Sequence, residues 1–203
     1  VKKGGTVADI GCDHGLLSIW LVTSGTCKKA LACDLRPGPL AVAKKNCRAY
    51  NCEQLVDCRL GEGLSVVAEH EADTIVVAGV SALTISQIIE AAPWVYSPGV
   101  RLVMIPATKP EVLRRWLWQQ GFALKKERLA GVAGRWYTAI CAEYTGAAHE
   151  PSALACVVGA THGQPAQKAY LAQERVKLAK CRIGLADDSE EAAQADALLN
   201  ALQ

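Results

Sequence analysis

Along residues 6–145, short runs of β-branched and apolar residues alternate with stretches whose apolar positions recur every three or four residues. That alternation is the signature of a parallel sheet with helices on both faces. VADIG (7–11) is the first predicted strand, and LLSIWLVTSG (16–25) the helix behind it, ending at Gly25. KALACDL (29–35) is the second strand, and Pro37 and Pro39 introduce the helix PLAVAKKNCRAYN (39–51). LVDCRLG (55–61) is the third strand, with a short helix expected after it. ADTIVVAGV (72–80) is almost wholly apolar, as a central strand covered on both faces must be. SALTISQIIEAAP (81–93) is its helix and VRLVMIPA (100–107) the fifth strand, followed by PEVLRRWLWQQG (110–121), a helix opening on Pro110 and closing at Gly121. FALKKERLAGVAGRWYTAICAEY (122–144) reads as an antiparallel hairpin whose turn holds Gly131 and Gly134.

The pattern changes past Gly146. After a short variable stretch, QKAYLAQERVKLAKCRIGL (167–185) and EEAAQADALLNALQ (190–203) both read as helices. The expected division is therefore an α/β domain over 1–146 and a small α-helical module over 147–203. A sheet of parallel strands finished by an antiparallel hairpin is typical of methyltransferases with a Rossmann-like, doubly wound fold.

Composition narrows the class. Over 203 residues, a hydrophobic content of 51% is enough to bury a sizeable core. The apolar runs fall far short of the roughly 20 residues of a membrane helix, and no signal-peptide pattern opens the chain. Nine cysteines, odd in number and without a CxxC pair, suit a reduced, cytoplasmic protein that uses cysteine as a small apolar residue. Cys47, Cys52 and Cys58 have no histidine at ligand spacing, and His70, His149 and His162 are isolated, so no metal is expected. A net charge of +2 gives no global electrostatic case for nucleic acid, leaving local clusters to be weighed. The first residue is Val1 and not Met, which points to a native segment ahead of it.

Candidate chemistry sits at the predicted strand ends. Gly11 and Gly15 let backbone approach a ligand at a strand-to-helix turn, where the free N–H groups of the next helix point outward. The alternative is a tight turn with no ligand. A dinucleotide site would show GxGxxG, whereas this turn reads D-x-G-x-x-x-G from Asp9, with Cys12 and the acid Asp13 inside it. That order matches the first motif of S-adenosylmethionine (SAM) methyltransferases, and an acid there disfavours a pyrophosphate while suiting a sulfonium and an amino group. Asp34, about 20 residues after Gly15 and followed by Leu35, is placed to accept both ribose hydroxyls, or else to cap the next helix. Gly61, Glu62 and Gly63 follow the third strand, where a polar side chain can read an adenine amine or simply form a surface turn. Ala78 and Gly79 close the fourth strand on the same edge.

VADIGCDHGLLSIWLV, DCRLGEGL, ADTIVVAGV, RLVMIPATKPEVLRRWLWQQGFAL and RWYTAICAEY together resemble the bacterial tRNA (adenine-22-N1)-methyltransferase family. The resemblance implies a SAM-dependent, Rossmann-like enzyme with a C-terminal coiled-coil-like module, a tRNA partner, and an N-terminal helix before VADIG. It departs after the fourth strand, where the family reads AGMGG and this chain reads Ala78-Gly79-Val80-Ser81-Ala82, at a motif that lines the target-base pocket. The rival readings are a non-catalytic SAM- or RNA-binding relative, a methyltransferase for another substrate, and, against the missing GxGxxG, a dehydrogenase.

Methyl transfer to adenine N1 uses an in-plane lone pair, so positioning outweighs base catalysis. Asp13 and His14 are the candidates for the pocket rim, with a local capping or backbone-bonding role as the alternative, and Ser81 either donates to the base or caps its helix. For RNA, Arg114 and Arg115 form one expected basic patch, and Lys125, Lys126, Arg128 and Arg135 a second. Lys168, Arg175 and Arg182 recur at seven-residue steps on one helix face, which suits phosphate contact or a solvated surface. Trp94, Trp116, Trp118 and Trp136 either stack bases or pack between elements.

Overall fold

A computed structural model describes residues 1–202. Seven strands form one sheet in the order β3-β2-β1-β4-β5-β7-β6. In chain order the elements are β1 (Thr6–Ile10), α1 (Leu16–Thr23), β2 (Lys29–Asp34), α2 (Pro37–Ala49), β3 (Val56–Leu60), β4 (Thr74–Ala78), α3 (Ala82–Glu90), β5 (Arg101–Ile105), α4 (Pro110–Gln119), β6 (Phe122–Val132), β7 (Arg135–Tyr144), α5 (Ala153–Val158), α6 (Gln167–Ile183) and α7 (Glu190–Ala201). The first five strands run parallel, and β7 joins β5 antiparallel. The α/β, doubly wound sheet with a terminal hairpin and C-terminal helices is thus the architecture the pattern predicts.

Period-two alternation explains the two layers. Leu31, Ile75, Leu102 and Met104 face a core completed by Ile85, Ile89, Leu113, Leu117 and Phe122. Val7, Ala30, Ala32 and Val76 face the other way, onto Ile19, Leu21, Val22, Leu40, Cys47 and Cys52. Both sets are near zero exposure, so the central strands have no polar face. All nine cysteines are free, and six of them are buried.

Four local expectations change. Helix α1 stops at Thr23, and Gly25 (φ 69°) lies in the turn beyond it. The segment after β3 is a pair of tight turns, Ser65 N to Glu62 O and Val67 N to Leu64 O, too short to continue as a helix. The hairpin turns on Ala133 (φ 48°) and Gly134 (φ 75°), while Gly131 lies within β6 opposite Trp136, where a Cβ would come within 3.1 Å of the indole. Helix α5, inside the stretch read as variable, starts at Ser152, whose hydroxyl accepts from Ala155 N.

The largest correction concerns Arg114, expected on a basic RNA-facing patch. It is fully buried, forked onto Glu127 of β6 with Nη2 2.9 Å from Oε2. Its Nη1 donates to the carbonyls of Cys156 (2.7 Å) and Val157 (2.9 Å) and to the Tyr170 hydroxyl (3.3 Å). Apolar burial of α4 carried the arginine inward, and the last carbonyls of α5 supply the acceptors it needs. Gly159 passes so close that a Cβ there would lie 2.4 Å from Arg114 Nε. One guanidinium therefore ties α4, β6, α5 and α6 together.

Removing one partner of a buried ion pair strands the other charge, at a cost of about 3–5 kcal/mol. Arg114→Met is expected to lower stability by that order in urea unfolding, and the double variant Arg114→Met/Glu127→Leu to be more stable than the single one. A double variant no better than the single would show that the carbonyl contacts, and not the pair, dominate.

Candidate functional site

The order of the sheet reverses between β1 and β4, so the connections from these strands leave toward opposite faces and open a crevice at their carboxyl ends. Every strand end singled out in the sequence lies on this edge. Register brings Ile10 beside Cys33 and Val77, and Asp34 beside Leu60.

Backbone hydrogen bonds fasten the ends to one another. Gly11 N and Cys12 N both donate to Cys33 O at 2.9 Å, and Gly61 N donates to Asp34 O at 3.0 Å. The Asp34 carboxylate, 5% exposed, accepts Asp13 N on Oδ2 (3.0 Å) and Arg36 N on Oδ1 (2.9 Å). Arg36, not Asp34, stands at the N-cap of α2, so the capping alternative for Asp34 is not realised. Each carboxylate oxygen retains a lone pair after these bonds.

The glycines divide by what a side chain would meet. At Gly11 (φ 75°) and Gly79 (φ 82°), both exposed, a Cβ would meet no protein atom within 4 Å, so the open space beside them belongs to the crevice. Gly15 (φ 71°) is buried, and a Cβ there would lie 2.9 Å from Ala43 Cβ; it lets α1 and α2 pack. Gly61 is filled in the same sense by Val66, at 2.2 Å from a hypothetical Cβ, while Gly63 (φ 53°) faces Ile88 at 3.5 Å. Asp13 itself has φ 50°, a left-handed conformation that aspartate tolerates better than most residues.

Asp9 lies beneath the turn, 4% exposed, with Oδ2 accepting the Ser18 hydroxyl at 2.7 Å. It holds α1 against β1 and does not itself line the open space. Burial pushes its carboxyl up from 3.8 to about 6, the Ser18 bonds oppose this, and the nearby Asp34 charge adds to it. Burial, with the Asp9 and Asp34 charges, likewise raises the Cys12 thiol far above its ordinary range. His14 and Asp13 are exposed, their side chains 3.6 Å apart, with Arg36 Nη2 3.9 Å from Asp13. Asp13 makes no helix cap: Gly15 occupies the N-cap of α1. Asn46 of α2, unnoticed in the sequence, pins the loop by donating to His14 O at 2.9 Å. Ser18 and Asn46 were missed because neither belongs to a motif; both act only through the fold.

Glu62 is exposed, as are Leu35 (63%), just past the end of β2, and Leu60 (55%), the last residue of β3. Ser81 Oγ accepts Thr84 N at 3.1 Å and lies 2.8 Å from Thr84 Oγ1, so its hydroxyl serves the cap of α3. Ala78 and Gly79 are joined to β5, Gly79 N donating to Ile105 O and Ala107 N to Val80 O. Carboxylates Asp13, Asp34 and Glu62 outnumber the guanidinium of Arg36 around the crevice, a balance that repels a pyrophosphate and suits a cationic nucleoside. Glycine faces, a carboxylate with spare lone pairs and exposed leucines together fit such a group. Among the described residues, no three His, Cys, Asp or Glu side chains are grouped to hold a metal ion.

Residues 1–140 match a family described as a methyltransferase domain. The chain belongs to that family. Within it, the chain is 30% identical over 143 residues to the tRNA (adenine(22)-N(1))-methyltransferase of Bacillus subtilis, an alignment covering 70% of this chain. The chain spans only 60% of the length of that curated relative. The crystal structure of the B. subtilis tRNA methyltransferase TrmK superposes on 100% of this chain and 92% of the other chain, at TM-score 0.86 and 24% identity. Sp1610 of Streptococcus pneumoniae, solved in complex with S-adenosyl-L-methionine, superposes at TM-score 0.84 and 26% identity over 99% and 92% of the two chains.

The Asp9 carboxyl gives a pH test of the methyltransferase turn. A pKa raised from 3.8 to about 6 means that folding favours the protonated form, so stability is greatest below pH 4 with respect to this group and is lost as pH rises through 6. The full loss is roughly 3 kcal/mol. Asp9→Asn, whose amide oxygen still accepts from Ser18, is expected to lose less stability than the unsubstituted protein between pH 4 and pH 7.5, read as the shift in urea midpoint. Identical shifts in both proteins would show that Asp9 is not the titrating group.

Proposed function

We propose that this methyltransferase uses SAM to methylate N1 of an adenine in tRNA, with residues 1–146 carrying the transfer and residues 147–203 serving as an RNA-docking module. The observation that carries the reading is the cradle in which the ends of β1, β2 and β3 are hydrogen-bonded around Asp34, beside the open faces of Gly11 and Gly79.

Gly11 admits the ligand to the backbone, Asp34 takes the ribose hydroxyls on its remaining lone pairs, Glu62 receives the adenine amine, and Leu35 and Leu60 cover the ring faces. When bound, SAM supplies a methyl group on a sulfonium. The acidic surroundings hold that positive charge without a counter-ion from solvent. N1 of the target adenine attacks with its in-plane lone pair as the carbon–sulfur bond breaks, and the positive charge passes to the base. No proton leaves N1, so no general base is needed. Asp13 and His14, exposed on the rim, and the turn at Gly79-Val80 are placed to orient the base, and Asp13 favours the cation that forms. Because N1 lies on the pairing edge, the adenine must be unpaired or turned out of its stack.

Two measurements test the reading. Asp34→Ala is expected to weaken SAM binding about 100-fold or more by calorimetry, as loss of two charge-assisted hydrogen bonds requires, in a protein whose circular dichroism confirms folding. Unchanged affinity would remove the assignment. Labelled SAM and bulk tRNA should give label that maps to N1-methyladenosine; binding without incorporation would favour the non-catalytic alternative, and label in another acceptor a different substrate.

A further inference from the structure

The β6–β7 hairpin is longer than the sheet that carries it. Pairing of β7 with β5 stops at Met104 and Ile140, but pairing with β6 continues to Val132 and Arg135. The overhang projects past the carboxyl end of β5, the same edge that holds Gly11 and Gly79. Helix α6 and the turn before it brace the hairpin: Gln173 Nε2 of α6 donates to Gly134 O at 3.0 Å, and Gln164 of the turn accepts from Leu129 N and donates to Glu127 O, both at 3.0 Å.

Between the overhang, the β5–α4 connection and helices α6 and α7 lies a cavity of about 540 Å³. Half-buried Trp136 lies on one wall, Leu178 and Leu198 on another, and Lys109 and Arg135 stand at exposed positions on its lining. Among the described residues neither cation has an ion-pair partner, in contrast with Lys177 on the same wall, which is 2.6 Å from Glu174. Lys109 is held in a left-handed conformation (φ 56°) immediately before Pro110. The cavity adjoins the transfer edge directly, because Ala107 on its lining donates to Val80 O.

An apolar slot with an aromatic wall and two cations, which outnumber the Glu111 carboxylate on the same lining, matches a nucleotide: the base stacks, and its phosphate meets the cations. A volume of this size admits one nucleobase with its sugar. A small apolar metabolite would leave the cations without purpose, and an anionic peptide would leave the indole without one. Resting on the reading of the enzyme as an RNA methyltransferase, we propose that this cavity takes a second, unpaired nucleotide of the substrate RNA, a neighbour of the methylated adenine, with Trp136 as the stacking face and Lys109 and Arg135 on the phosphate.

The test compares Trp136→Leu, Trp136→Phe and the pair Lys109→Ala/Arg135→Ala with the unsubstituted enzyme, reading tRNA Kd by anisotropy in parallel with methyl transfer and SAM affinity. Trp136→Leu and the cation pair should each raise the tRNA Kd and KM by about fivefold or more, while SAM affinity and kcat at saturating tRNA stay within about twofold. Trp136→Phe, which keeps a π face, should restore most of the affinity; a merely structural indole would not distinguish phenylalanine from leucine in this way. Unchanged tRNA Kd in Trp136→Leu and in the cation pair overturns the nucleotide pocket, even if the enzyme methylates tRNA normally. Normal effects on tRNA Kd with no transfer by the unsubstituted enzyme would instead uphold the pocket and remove the catalytic reading.

Discussion

Asp34 occupies the position on which the crevice depends. A parallel sheet leaves its strand ends splayed, and loops there have backbone N–H groups with no ladder to join. Here one nearly buried carboxylate collects Asp13 N and Arg36 N, and its own carbonyl collects Gly61 N, so three separate connections share a single anchor. The turn at residues 11–15 can then take left-handed conformations at Gly11, Asp13 and Gly15 without drifting. The order of three loops thus draws on the same group to which the proposal gives the ribose hydroxyls, so a change at Asp34 is felt first in the loops themselves.

A second anchor of a different kind sits at the opposite side of the sheet. The Arg114 guanidinium exchanges solvent for Glu127, two carbonyls of α5 and a buried tyrosine hydroxyl. Its geometry fixes the C-terminal helices against α4 and β6, and thereby fixes the wall that α6 presents to the hairpin overhang. In α6 the expected basic stripe is partly consumed by structure: Arg182 is bonded to Asp196 of α7 and paired with Asp187, whereas Lys168 and Arg175 remain exposed.

The sheet was legible because its apolar runs are short, β-branched and separated by helical periodicity, and because Gly11, Asp34 and Glu62 fall one at each predicted strand end. What sequence could not reveal was which side of an element a long polar residue would take. Arg114 carries the same letter as Arg115, and only packing against α5 decides that one is buried and the other pairs with Glu150 at the surface. Trp116 similarly stacks on Phe122, with ring centroids 6.0 Å apart, and donates to Glu90, so packing between elements was the correct alternative for that indole. Short elements such as α5 escape periodicity altogether, since six residues span less than two turns.

Cys12 has a chemical consequence of its own. Sulfur in its anionic form is a strong nucleophile, and a cofactor built to alkylate would be an obvious electrophile for it. Sealed from water and flanked by the negative charges of Asp9 and Asp34, this side chain keeps its proton throughout the physiological range. The turn between β1 and α1 thus carries a thiol whose burial and acidic neighbours leave it a small, poorly nucleophilic packing group and not a reactive one.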